Sequence, residues 1–159
     1  AYIIADRRER IETLRKLIKA VKPDKCIIFI NTKYDLTEAL QKLQYHNYNV
    51  GCISSNQDAV SKRNILNSFK TGKLQLLLAT DIAARGLQID DIDVVINVNL
   101  PEEPKEYIHR AGRCGRNGNN GLTLSIITDN ELNKIKKYQK EFHINMVPKK
   151  LYQGRLVAK

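Results

Sequence analysis

Five short runs of this chain are rich in apolar residues, several of them on successive positions: Cys26-Ile27-Ile28-Phe29-Ile30, Val50-Gly51-Cys52-Ile53, Leu74 to Ala79, Val94 to Val98, and Leu122 to Ile127. Runs of that length predict strands, and the near absence of polar alternation predicts strands buried on both faces of a parallel sheet. Between them the apolar spacing changes to three and four. Ile11, Leu14, Leu17, Ile18 and Val21 share one helical face, as do Leu36, Ala39, Leu40 and Leu43. Ile65, Leu66 and Phe69 line a third helix, and Leu132, Ile135, Tyr138 and Phe142 a last one. Thr128-Asp129-Asn130-Glu131 has the form of a capping box that starts this last helix. Pro104 suits the first turn of a short helix running into His109. Strands alternating with helices predict an α/β fold, an open parallel sheet with helices on both faces. Residues 1–147 are expected to form that domain. Residues 148–159 show no clear period and are expected to be a basic tail or linker.

In open α/β sheets ligands bind outside the carboxyl ends of the strands. Polar residues of this chain gather there: Asn31-Thr32, Ser54-Ser55-Asn56, Thr80-Asp81 and Asn99 follow the first four apolar runs. Each pair alone reads as a helix cap. Together on one edge they predict a site, and the two roles are compatible because a helix N-terminus itself binds phosphate. The stretch His109-Arg110-Ala111-Gly112-Arg113-Cys114-Gly115-Arg116 adds arginines at every third position with glycines between them. Arginine grips oxyanions with a planar fork, and glycine lets a phosphate approach the backbone.

Composition agrees with a polyanionic partner: 27 Lys and Arg stand against 17 Asp and Glu, a net charge of +10. Three cysteines without a Cys-x-x-Cys pair argue against a disulfide framework and a cysteine-rich zinc site, and for a reducing compartment. No run approaches the roughly 18 apolar residues of a membrane span. The expected setting is intracellular, the cytoplasm first, with no membrane partner and no metal-ligand set in this chain.

These residues resemble the second, C-terminal RecA-like domain of DEAD-box ATP-dependent RNA helicases. Ile28-Phe29-Ile30-Asn31-Thr32 is similar to the family's motif IV. Ala79-Thr80-Asp81-Ile82-Ala83-Ala84-Arg85-Gly86-Leu87 is similar to motif V, and His109 to Arg116 to motif VI. Ile96 to Pro101 resembles the strand between the last two, and the likeness runs from Tyr2 to Phe142. The resemblance implies a RecA-like fold of the P-loop NTPase type without its own phosphate loop, since no G-x-x-x-x-G-K-[ST] occurs. It implies that Arg113 and Arg116 are arginine fingers for the γ-phosphate of ATP. It implies that His109 and Arg110 meet the acidic motif of the first domain, and that Gly86 and Gln88 lie at the nucleotide. Thr32, Lys62, Thr80 and Asp81 match positions along single-stranded RNA, gripped through its backbone and without a base-stacking platform. ATP with Mg2+ is the implied cofactor, the metal held mainly by the N-terminal RecA-like domain, which this chain lacks. The chain alone is therefore expected to hydrolyse no ATP.

The chain departs from the family's pattern in places, among them Ser54-Ser55, where the family often has His-Gly. Gln88 stands where an aspartate usually holds the ribose, and Ala59 and Lys62 stand where the family has a Gln-x-x-Arg element. Those departures keep open an alternative, a catalytically degenerate RNA-binding or scaffolding module of the same fold. A DNA-directed motor of the same superfamily is a further alternative. The short spacing between motifs V and VI and the His-Arg-x-Gly-Arg-x-Gly-Arg form suit the RNA family better.

Overall fold

In the computed structural model, which describes residues 1–89, 91–114 and 121–159, eight strands form one sheet. In chain order the elements are β1 (Tyr2–Ile4), α1 (Arg10–Val21), β2 (Cys26–Phe29), α2 (Lys33–Tyr45), β3 (Val50–Ile53) and α3 (Ala59–Lys70). There follow β4 (Leu76–Ala79), α4 (Asp81–Ala84), β5 (Val94–Asn97), α5 (Pro104–Ala111) and β6 (Leu122–Ile127). The chain ends with α6 (Leu132–Phe142), β7 (Pro148–Tyr152) and β8 (Arg155–Ala158). The strand order is β3-β4-β2-β5-β6-β1-β7-β8, parallel throughout except for β8.

The apolar runs explain the centre of this sheet. Every residue of β2, β4 and β5 is buried, as parallel strands covered on both faces require. Alternate residues serve opposite layers. Cys26, Ile28, Leu76, Leu78, Val94 and Ile96 pack under α1 and α2. Ile27, Phe29, Leu77, Ala79 and Val95 pack against α3 and α4. A third cluster joins Tyr107 of α5 to Ile135 and Tyr138 of α6. The capping box forms as its spacing predicts: the Glu131 carboxylate accepts from the Thr128 amide at 3.1 Å, and one 3-10 turn leads into α6. Glu131 also pairs with Arg10 at the start of α1, at 2.8 Å.

Two parts of the sheet were not expected. β1 enters between β6 and β7, pairing Ile3 with Ile126 and with Lys149. The stretch 148–159, expected as a tail or linker, is the hairpin β7–β8, and it extends the sheet. Its turn is Gln153-Gly154, with φ of 50° and 72°. Positive φ at both central residues gives the two-residue turn whose twist matches that of paired strands. Leu151 and Leu156, opposite each other in register, pack against the core cluster under α1.

One surface network ties α1 to α2. Glu12 accepts hydrogen bonds from Arg15, one turn on, and from Lys42 of α2. The Arg15 bonds, then those of Lys42, hold its carboxyl below the ordinary 4.5, at about 2. A depressed carboxyl adds stability above its unfolded pKa and loses it as pH falls through the folded one. The pair is a third exposed, so solvent screening limits the effect to less than about 1 kcal/mol. Glu12→Gln is expected to cost about 0.5 kcal/mol at pH 7 and to flatten the loss of stability between pH 4.5 and 2. Urea unfolding at a series of pH values checks this. A Gln variant with the parental acid slope contradicts it.

Candidate functional site at the carboxyl edge of the sheet

β4 and β5 flank β2 on opposite sides, so the chain reverses direction across the sheet at β2. At such a switch point the loops leaving neighbouring strands diverge and open a crevice. Three helices that begin along this edge have side-chain caps: Thr32 and Thr80 cap as expected, whereas α3 is capped by Asp58 and not by Ser54-Ser55-Asn56, because it starts only at Ala59. Thr32 Oγ1 accepts from the Asp35 amide at 3.2 Å, Thr80 Oγ1 from the Ala83 amide at 3.2 Å, and the Asp58 carboxylate from the Ser61 amide at 2.7 Å.

Arg110 stands at the centre. Its residue is 1% exposed, and each of its five N–H groups has an acceptor. Nε donates to Asp81 Oδ1 at 2.7 Å, and Nη2 to Asp81 Oδ2 at 2.5 Å and Asn31 Oδ1 at 3.0 Å. Nη1 donates to the Asn99 carbonyl at 2.8 Å and to Asn97 Oδ1 at 3.2 Å. The guanidinium lies over the Phe29 ring, 4.8 Å from its centroid. One side chain from α5 thus gathers the ends of β2, β4 and β5. Asn97, buried inside a strand, completes its own bonding through Ser125 Oγ at 3.1 Å. Arg110, grouped from the sequence with residues that meet another domain, turns inward. Asp81, grouped with RNA-contacting positions, directs both carboxylate oxygens into Arg110.

Above this network lies a cavity of 280 Å³ lined by Phe29, Asp81, Ala84, Gly86, His109 and Arg113, among others. Arg113 donates to the carbonyls of Leu87 and Ala84, the latter at 3.2 Å. Among the described residues it has no carboxylate partner. Gly86 has φ of 76°, a conformation in which a side chain is strained, and its own Cβ position is open. His109 is exposed, its Nδ1 3.8 Å from Glu106, and Glu106 also pairs with Arg85 at 3.3 Å. A second cavity of 310 Å³ adjoins, lined by Asn31, Thr80, Asp81 and Glu106 among others. Thr32 lines a wider groove of 960 Å³ with Asn31 and Asn99.

The fold therefore brings together Asp81, Gly86, His109, Arg110 and Arg113, with Thr32 and Thr80 alongside. Gln88 is exposed two residues beyond Gly86, and Lys62 stands farther out, on the helix that follows edge strand β3. Arg116 lies outside the described residues. The sequence reading missed Gln57, whose side chain donates to the Cys52 carbonyl at 2.8 Å and accepts from the Ser54 amide at 3.1 Å, clasping the loop after β3. Its isolated position in a polar run carried no signal. Among the described residues no three His, Cys, Asp or Glu side chains stand together as a metal requires. The carboxylates at the cavity, Asp81 and Glu106, are engaged in ion pairs. No helix of the described residues is long and apolar enough to cross a membrane.

Residues 9–118 match the family model of the helicase conserved C-terminal domain. The chain is 34% identical to a DEAD-box ATP-dependent RNA helicase of Bacillus cereus, CshC, over 98% of its own length and 40% of that relative. It thus spans about two fifths of the curated relative. In three dimensions it matches the C-terminal domain of the DEAD-box protein Dbp5 with a TM-score of 0.87, at 28% identity, over 92% of this chain and 88% of that one. It also matches Saccharomyces cerevisiae Dbp5 bound to RNA and ADP BeF3, with a TM-score of 0.83 at 28% identity, over 92% of this chain and 40% of that one. The open parallel sheet with helices on both faces is accordingly RecA-like, as the motifs led us to expect.

Proposed function

Since the chain belongs to the family of helicase conserved C-terminal domains, in its DEAD-box branch, we propose that it works as the second RecA-like domain of an ATP-dependent RNA helicase. The observation that carries this reading is Arg113, a guanidinium at the mouth of a cavity whose described partners are two backbone carbonyls. Such a group can turn to a polyphosphate without leaving a carboxylate unpaired. Transfer of the γ-phosphoryl group spreads charge over its oxygens, and a positioned arginine stabilises that charge.

In this reading ATP is held mainly by the N-terminal domain and meets this one across the cleft. Arg113 and Arg116 reach its terminal phosphate. The backbone at Gly86 lies against the nucleotide, and Gln88 faces the ribose with a neutral amide in place of the family's carboxylate. His109 couples to the other domain, with Glu106 beside it. Thr32, Thr80 and the cation of Lys62 contact RNA phosphates and riboses, which requires no reading of bases. Asp81 acts at one remove, by fixing Arg110 and with it the three strand ends. The carboxylates of this cavity do not suit Mg2+, because both are taken by arginines, and magnesium falls to the other domain. The setting is inside the cell, where ATP and RNA meet.

The test is ATP turnover by the parent protein with and without single-stranded RNA, beside the 159-residue chain alone. Turnover stimulated by RNA in the parent, and none in the isolated chain, is expected. A parent that binds RNA but never hydrolyses ATP would support the degenerate scaffolding module instead.

A further inference from the structure

The hairpin β7–β8 has two unlike faces. Its register sets Lys150 opposite Val157 and Tyr152 opposite Arg155, so these four share the face turned away from Leu151 and Leu156. Tyr152 is 59% exposed, and the Lys150 ammonium stands 5.8 Å from its ring centroid. From Val147 to Lys159 the chain carries Lys149, Lys150, Arg155 and Lys159 and no carboxylate. An exposed aromatic flanked by unbalanced cations offers a base-stacking surface with phosphate contacts on either side.

Its position connects it to the carboxyl edge. β7 runs parallel to β1, so Tyr152 ends at the same edge of the sheet as Thr32 and Thr80. β7 is four strand positions from β2, about 19 Å at roughly 4.8 Å per strand. The 960 Å³ groove lies along this edge, lined by Asn31 and Thr32 and by Ile4 and Arg7 next to β1; its lining also carries the carboxylates Asp6, Glu9, Glu102, Asp129 and Glu131, so the unbalanced cations lie at the hairpin beyond it.

We propose that the Lys150–Tyr152–Arg155 face of the C-terminal hairpin is a second contact for single-stranded RNA leaving the carboxyl edge. One base stacks on Tyr152, and Lys150 and Arg155 hold the phosphates beside it. The proposal rests on the RNA reading above and adds a stacking element that the motif residues lack.

The experiment uses fluorescence anisotropy with labelled oligouridylates of about 6 and 20 nucleotides, lengths chosen to fill one contact or both. Tyr152→Ala is expected to weaken the longer RNA roughly 5- to 100-fold and to leave the shorter one unchanged, while Tyr152→Phe retains binding. Lys150→Gln and Arg155→Gln should each make the salt dependence shallower by about 0.7. Thr32→Ala with Thr80→Ala should weaken both lengths. Equal affinity of Tyr152→Ala for the longer RNA, in a variant with parental circular dichroism, overturns the hairpin contact and leaves the edge reading standing. A hairpin effect with no effect of the threonine pair overturns the edge reading and keeps the hairpin. Preference for an acidic peptide such as polyglutamate over RNA, lost in the Lys150 and Arg155 variants, overturns the proposal in favour of a protein partner.

Discussion

Arg113→Ala in the parent protein is expected to reduce RNA-stimulated ATP turnover by about 10³-fold or more, the range that a phosphate-directed arginine supplies. The fold should survive. Among the described residues its acceptors are two backbone carbonyls, that of Ala84 at the end of α4 and that of Leu87 in the loop beyond. Loss of these hydrogen bonds costs about 1–3 kcal/mol, a shift of several degrees in Tm. RNA affinity in the absence of nucleotide should be unchanged, because Arg113 lines the 280 Å³ cavity and not the groove that Thr32 lines. Arg113→Lys keeps the charge but not the planar fork, and should recover only part of the rate. Single-turnover hydrolysis with saturating RNA makes the measurement. A variant retaining more than a tenth of parental turnover would remove Arg113 from the phosphate.

A second substitution, one helical turn away, should act on the fold itself. Arg110→Ala is expected to destabilise the domain by about 3–5 kcal/mol, as removal of one partner from a buried ion pair does. The loss strands the Asp81 carboxylate, two asparagine side chains and one carbonyl at once. Arg110→Lys should cost nearly as much, since an ammonium on a shorter reach cannot span acceptors on three strand ends. Asp81→Asn should cost less, because one amide oxygen still accepts from the guanidinium. Urea denaturation of the 159-residue chain separates these values. A change below about 1 kcal/mol for Arg110→Ala would mean that the strand ends hold themselves without it.

The contrast between these neighbours marks where sequence reading succeeded and where it stopped. The strands β2, β4 and β5 were legible because burial on both faces leaves no polar residue to blur the run. Thr32 and Thr80 were legible as caps because capping is local, decided within three residues. The partners of Arg110 were not, since Asn31, Asp81 and Asn97 lie 79, 29 and 13 residues away and meet it only through sheet order. Arg110 and Arg113 share a motif and a residue type, yet burial gives one an inward role and leaves the other at a cavity. β7 and β8 were missed for another reason. At the end of a sheet half the side chains face water, so Lys149-Lys150 and Arg155 hide the alternation of Leu151 with Leu156. The Gln-Gly turn is also a weaker signal than Asn-Gly. β1 is three residues long, too short to carry a period.

The place of β1 also orders the assembly of the molecule. Residues 2–4 sit between β6 and β7, so β1 has no sheet neighbour until residues 122–127 and 148–149 exist. β2 to β5 can pair among themselves much sooner, because their partners lie within some seventy residues. The pairings of β1 close the longest loops of the sheet, and loop-closure entropy is largest there. During synthesis of this domain Tyr2-Ile3-Ile4 therefore lacks its sheet partners until residues 122–127 have been made. That short apolar segment is the part a chaperone would have most reason to cover.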